Sequence, residues 1–283
     1  YFFREDDGSR TPPNNWTSFF SGSAWKYEEN RQNVCDEDGV GHGQEQTRGS
    51  WALHLFSKKQ MDLNWDNPRV REEVTDMVNR WLDRGVDGFR MDVINYISKK
   101  EGLPAGNETI GALMGYTGIE HYYYGPKLHQ YLRELRAKAF APHGAFSVGE
   151  TPGLGMKMCQ LVTGEERGEL DMVFSFDHLE TPGHVRMEEY AYDLNYFRDY
   201  MIDWMEHYGN NCWMSLFYNN HDNPRMISKI TQDASRHTAL AKLLAVMQLT
   251  LKGTPFLFQG DEMGLANFDF TSMEQITDVE AKG

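Results

Sequence analysis

The chain has 283 residues, a formal net charge of −14 and no run of lysines or arginines, which excludes the electrostatic footprint of a nucleic-acid binder and favours a neutral substrate over an anionic one. Its 40% hydrophobic and 25% charged content is that of a globular domain, and no apolar stretch reaches the roughly 18 residues of a membrane span, so no membrane partner is expected. Cys35, Cys159 and Cys212 are far apart and form no C-x-x-C pair, so reduced thiols in a cytoplasmic protein are expected rather than disulfides or a zinc site.

Residues 1–66 are rich in Gly, Asn, Pro, Ser and Trp and read as a small irregular region. Residues 12–16 form a loop, residues 30–50 an exposed polar loop, and residues 53–56 one short strand. From Asn67 the texture changes. Asp66-Asn67-Pro68 supplies a helix start, Val70, Val74, Met77, Val78, Trp81 and Leu82 recur at helical spacing, and Gly85 ends the run. Strands are predicted at 86–94, 145–149, 170–176, 213–218 and 255–258, with helices at 125–140, 194–208 and 234–251 between them. Short apolar strands alternating with amphipathic helices predict a parallel sheet covered by helices. Five strands are three short of a closed eight-stranded barrel. Either the sheet is open or strands are missing from its front.

Polar clusters stand at four strand ends, where parallel sheets bind ligands. In Gly88-Phe89-Arg90-Met91-Asp92, residues 90 and 92 share a face of the strand. A guanidinium beside a carboxylate favours the ionised form that a nucleophile needs, although a structural ion pair gives the same pattern. Glu150 ends the run Ser147-Val148-Gly149-Glu150 one strand further on, and two carboxylates so placed suit an acid/base and nucleophile pair. Asn219-Asn220-His221-Asp222-Asn223-Pro224-Arg225 follows an apolar strand. Its residue types are also those of a turn, and with no second histidine at ligand spacing no metal is expected there. The last strand ends in an acidic turn, where Glu262 reads as structural first and as catalytic only as a remote second. A nucleophile elbow, a P-loop and a dinucleotide fingerprint are all lacking. The aromatic content of 13% fits a core or a sugar-stacking cleft.

Gly88–Asp92, Val148-Gly149-Glu150 and Asn220-His221-Asp222 come in an order that resembles the second, third and fourth signature regions of the α-amylase family of glycoside hydrolases (family 13). Residues 253–264 resemble its last barrel strand. Gln60-Met61-Asp62-Leu63-Asn64 resembles the Q-P-D-L-N element of its oligo-1,6-glucosidase subgroup, with Met61 in place of proline. Asn14-Asn15-Trp16 and Gly22-Ser23-Ala24-Trp25 resemble the small domain inserted after the third strand. The resemblance implies an α/β fold: an incomplete (β/α)8 TIM barrel over 67–283 holding strands four to eight, preceded by the inserted domain over 1–66.

It further implies a retaining mechanism with Asp92 as nucleophile, Glu150 as general acid/base and Asp222 as transition-state stabiliser. Arg90 would orient Asp92, and His221 would bind a hydroxyl of the −1 sugar. Val93, directly after the nucleophile, resembles enzymes preferring α-1,6 linkages, and Arg225 joins the substrate-binding candidates. The expected partner is an oligosaccharide, and oligomeric state is not legible. Trehalose-6-phosphate hydrolases share the Asp-Val-Ile run, but no basic cluster stands ready for a phosphate. A non-catalytic scaffold of the amylase type is the remaining alternative, against which all three carboxylates stand. The family's first region, with its Asp and Asn-His pair, is absent, as are strands one to three. A fragment of a longer protein is therefore expected. No cofactor is expected to be required, and calcium is expected only in a full-length parent.

Overall fold

The structure is a computed structural model that describes residues 1–29, 31–35, 41–46, 49–186 and 188–278. The chain divides into two compact units, one of Tyr1–Glu72, Tyr96–Leu128 and the tail from Phe270, the other of Glu73–Asn95 and His129–Asp269.

In the first unit, strands β1 (Phe3–Glu5), β2 (Trp25–Glu28) and β5 (Ser50–Leu53) form an antiparallel sheet in the order β1-β5-β2, and β3 (Arg31–Cys35) pairs with β4 (Gly41–Gln46) as a separate antiparallel ladder. The hairpin corrects the loop expected over 30–50. The ladder is a pairing of backbone groups, and the sequences of Arg31–Cys35 and Gly41–Gln46 carry no hydrophobic alternation, so a search for that period misses it. The strand expected at 53–56 lies three residues earlier.

Helix α1 (Pro68–Leu82) begins at its proline, where a missing N–H costs nothing, and turns Val78 and Leu82 inward. The chain turns out of it through Gly85 at φ 94°. Helix α2 (Glu108–Met114) is capped by Asn107, whose side chain accepts from the amides of Thr109 and Ile110.

The boundary expected at residue 66 does not divide the molecule. The Asn14 side chain donates to the Leu103 carbonyl at 2.9 Å, that of Asn15 to the Gly106 carbonyl at 3.1 Å, and the buried Trp16 indole to the Pro104 carbonyl at 2.8 Å. These bonds gather residues 96–128 with the N-terminal segment. Lys99, almost fully buried, pairs with Asp62 at 2.6 Å in the same unit.

The second unit holds all five predicted parallel strands; β7 has the expected length one residue further on, and the other four are shorter than expected. β6 (Gly88–Met91), β7 (Phe146–Glu150) and β8 (Met172–Phe174) form one parallel sheet, while β9 (Ser215–Leu216) and β10 (Thr254–Pro255) form a parallel pair. The Ser215 hydroxyl donates to the Val173 carbonyl at 2.5 Å, linking the two groups of strands. Helices α3 (Leu128–Leu135), α4 (Ala141–His143), α5 (Met156–Thr163), α6 (Leu194–Asp203), α7 (Met226–Ile230) and α8 (Ala234–Thr250) alternate with them along the chain. The helices expected at 125–140 and 194–208 end in five-residue π-helical segments, Arg136–Phe140 and Trp204–Tyr208. Val148 on β7, Met172 and Val173 on β8 and Leu216 on β9 are buried, as are Leu132, Phe140 and Phe197 on the helices. Gly88 is required where it stands, because a Cβ there would lie 2.3 Å from the Phe146 carbonyl oxygen.

Candidate active site

Parallel register sets the first two acidic groups side by side. Arg90 pairs with Val148 and Met91 with Gly149, so the next step along both strands brings Asp92 beside Glu150. One guanidinium joins them: Arg90 Nη1 donates to Asp92 Oδ1 and Nη2 to Glu150 Oε2, each at 2.5 Å. The planar fork of arginine fits this two-carboxylate task, because its two terminal nitrogens can each serve one carboxylate.

The two carboxyl groups have different surroundings. The Asp92 side chain is 73% exposed and that of Glu150 9%. Burial pushes the Glu150 carboxyl up to about 7, and Asp92 acts in the same direction, by accepting a hydrogen bond from the protonated Glu150 and through its own charge. Arg90 and the Val93 amide pull it down, and burial outweighs them. The Val93 N–H approaches Glu150 Oε2 at 3.4 Å, reached through a left-handed backbone with φ 36°, which is unusual for a β-branched residue.

Arg90 and Glu150 open onto a cavity of about 200 Å³ whose far wall carries Asn219, Asn220 and His221 from the end of β9. The rest of the lining is Leu257 and five phenylalanines: 174, 176, 217, 256 and 258. Their rings are in edge contact, Phe174 with Phe217 at 5.1 Å and with Phe256 at 4.7 Å between centroids. A polar floor with flat apolar walls suits a pyranose, whose hydroxyls need partners and whose C–H faces need rings.

The turn after β9 is built on Asn220, whose Oδ1 accepts from the Asp222 amide at 3.0 Å and from the Asn223 side chain at 2.8 Å. His221 Nε2 lies 3.1 Å from Asp222 Oδ2.

The structure thus brings Arg90, Asp92 and Glu150 into contact, places His221 on the same cavity and sets Asp222 against His221. Val93 meets the site through its backbone N–H and is not on the cavity wall. Arg225 departs from expectation. Its guanidinium donates to the Gln259 carbonyl at 2.8 Å, reaches Asp261 Oδ1 at 3.4 Å and stacks on Phe258 at 4.6 Å, so its donors are turned to the protein instead of to the cavity. Sequence reasoning overlooked the aromatic wall. Phe174 and Phe176, like Phe256 and Phe258, are two apart at strand ends, the spacing that puts two rings on one face. Among the described residues no group of three or more His, Cys, Asp or Glu is placed to hold a metal ion, and no helix is long and apolar enough to cross a membrane.

The family model for the alpha-amylase catalytic domain matches residues 1–282. The chain belongs to the alpha-amylase family. Within that family it is 42% identical over 270 residues to an oligo-1,6-glucosidase of Halalkalibacterium halodurans, covering 95% of the chain and 45% of that protein. It is 34% identical to a trehalose-6-phosphate hydrolase of Bacillus subtilis, covering 99% of the chain and 46% of that protein. Among solved structures it superposes on a trehalose-6-phosphate hydrolase of Bacillus licheniformis with a TM-score of 0.82 at 32% identity, over 100% of the chain and 47% of that one. A trehalulose synthase of Pseudomonas mesoacidophila gives a TM-score of 0.80 at 35% identity, over 100% of the chain and 47% of that one. The chain spans about half the length of the curated relatives it matches.

Proposed function

We propose that the protein containing this chain is a retaining, exo-acting α-glucosidase that hydrolyses α-1,6-linked gluco-oligosaccharides, with α-1,4-linked ones as a second class. The observation that carries the reading is the pair of unequal carboxyl groups on one guanidinium, one exposed and one buried with its proton held to about pH 7. A retaining glycosidase needs such a pair, one group to attack and one to donate a proton.

In the first step the Glu150 proton passes to the glycosidic oxygen as its bond to C1 breaks, and an Asp92 oxygen bonds to C1. In the second, Glu150 takes a proton from water, whose oxygen bonds to C1 as the ester to Asp92 breaks. Arg90 keeps the two carboxyls in register throughout, His221 holds a sugar hydroxyl, and Asp222 stabilises the flattened ring of the transition state. Val93 follows the nucleophile directly and is assigned the linkage preference.

The oligo-1,6-glucosidase name of several relatives supports the gluco-oligosaccharide assignment. The cavity lining supports it over a phosphorylated disaccharide. Arg90 is the only lysine or arginine there among the described residues, and both its terminal nitrogens are engaged by carboxylates. The test is hydrolysis of isomaltose and of trehalose-6-phosphate by the protein that contains this chain, with the anomer first released followed by NMR. Release of α-glucose from isomaltose, with slower turnover of the phosphorylated sugar, is expected. Release of β-glucose, or faster cleavage of trehalose-6-phosphate, contradicts the assignment.

A further inference from the structure

Two walls of the cavity come from different strand ends. Asn219 and His221 follow β9, and Phe258 follows β10. A short parallel pair of two residues per strand cannot by itself fix what lies beyond its ends.

One side chain joins them. Asp261 Oδ1 accepts from the Asn219 side chain at 2.7 Å and faces Arg225 Nη1 at 3.4 Å, while Oδ2 accepts from the Phe258 amide at 2.8 Å. Asn219 passes the restraint on, since its Oδ1 accepts from the Met226 amide at 2.7 Å. The segment 220–225, which holds His221 and Asp222, is therefore anchored at its start by Asn219, at its end by Met226 and Arg225, and all three anchors lead to Asp261. The Asp261 side chain is 10% exposed, so these bonds work with little competition from water. The neighbouring acid, Glu262, is exposed, and its Oε2 accepts from the Gly260 amide within its own turn, at 2.9 Å.

We propose that Asp261 is a positioning residue for the proposed glycosidase reaction, clamping the β9 and β10 strand ends so that His221 and Asp222 meet the sugar in one geometry. The inference rests on the glucosidase reading and adds to it a residue that never touches substrate. Misplacement of a group that acts in the transition state lowers kcat with little change in KM, because ground-state binding is shared among many other contacts.

The experiment compares the wild-type protein with Asp261→Ala, Asn219→Ala and Glu262→Gln on isomaltose, well below each variant's melting temperature and per folded molecule. Expected is a kcat at least tenfold lower for Asp261→Ala and Asn219→Ala, with KM within threefold, and unchanged constants for Glu262→Gln. Double exchange, Asp261→Asn with Asn219→Asp, preserves the bond between the positions with its donor and acceptor reversed, and recovers most of kcat. Should Asp261→Ala fail to fold, Asn219→Ala, which loses fewer bonds, gives the answer. A lower melting temperature with wild-type kcat in the folded fraction overturns the clamp and leaves the glucosidase reading intact. A wild type without turnover of isomaltose ends that reading and this inference together.

Discussion

At neutral pH the Glu150 carboxyl sits near its own midpoint, held there by burial against the pull of Arg90. The folded chain keeps a proton that the unfolded chain releases above about 4.5, so stability falls as pH rises from 4.5 towards 7 and is level outside that window. Glu150→Gln removes the slope, and denaturant titrations at pH 4.5 and 7.5 should differ from wild type by on the order of 2 kcal/mol, since each tenfold gain in proton affinity on folding is worth about 1.4 kcal/mol. In the proposed reaction the same proton would set the basic limb of the rate profile near pH 7, and Glu150→Gln should lower kcat by roughly 10²–10⁴ on an unactivated glucoside. A basic limb above pH 9 in the wild type would contradict this. Val93 stores strain beside the site, at φ 36°. A left-handed β-branched residue costs roughly 1–3 kcal/mol, so Val93→Gly should raise stability by about 1 kcal/mol after glycine's entropy is counted, while loosening the amide that faces Glu150. Unchanged or lower stability, measured by denaturant midpoint, would show that the backbone there is unstrained.

At the scale of elements, β6 and β7 approach so closely that Gly88 has no room for a side chain. Gly88→Ala should cost about 1–3 kcal/mol as an overpacking change and lower kcat as well, because Arg90 and Asp92 follow on the same strand. Denaturant midpoints and single-turnover rates check both, and a wild-type midpoint would show that the strands part freely. Elements with a hydrophobic period were legible in the sequence. All five strands of the second unit and the long helices stand where the apolar residues recur. The hairpin of β3 and β4 was not legible, since backbone pairing alone marks it. Neither were the π-helical ends of two helices, which keep the apolar spacing while changing the hydrogen-bond pattern.

For the whole molecule, the division into units was hidden because the contacts that make it are remote in sequence. Asn14, Asn15 and Trp16 meet partners about ninety residues away, and nothing in their local composition points there. Of the candidate site, the charged part was legible as a juxtaposition, since Arg90, Asp92 and Glu150 meet at neighbouring strand ends and His221 lies on the same cavity in the turn after β9. Its aromatic wall was hidden by chemistry shared with any core, and Arg225 was misread because a guanidinium near a cleft serves equally well to tie two loops together.

In the proposed reaction Asp92 attacks while Glu150 delivers the proton across the fork of Arg90. Trapping measures it most directly: the protein is incubated with 5-fluoro-α-glucosyl fluoride, whose C5 fluorine slows both steps while the departing anomeric fluoride keeps the first fast enough for the ester to accumulate, and the labelled peptide is sequenced by mass spectrometry. A single glucosyl ester on Asp92, lost in Asp92→Asn, is the expected result. A label on Glu150 or Asp222, or rapid turnover without any covalent intermediate and with inverted product, would contradict it.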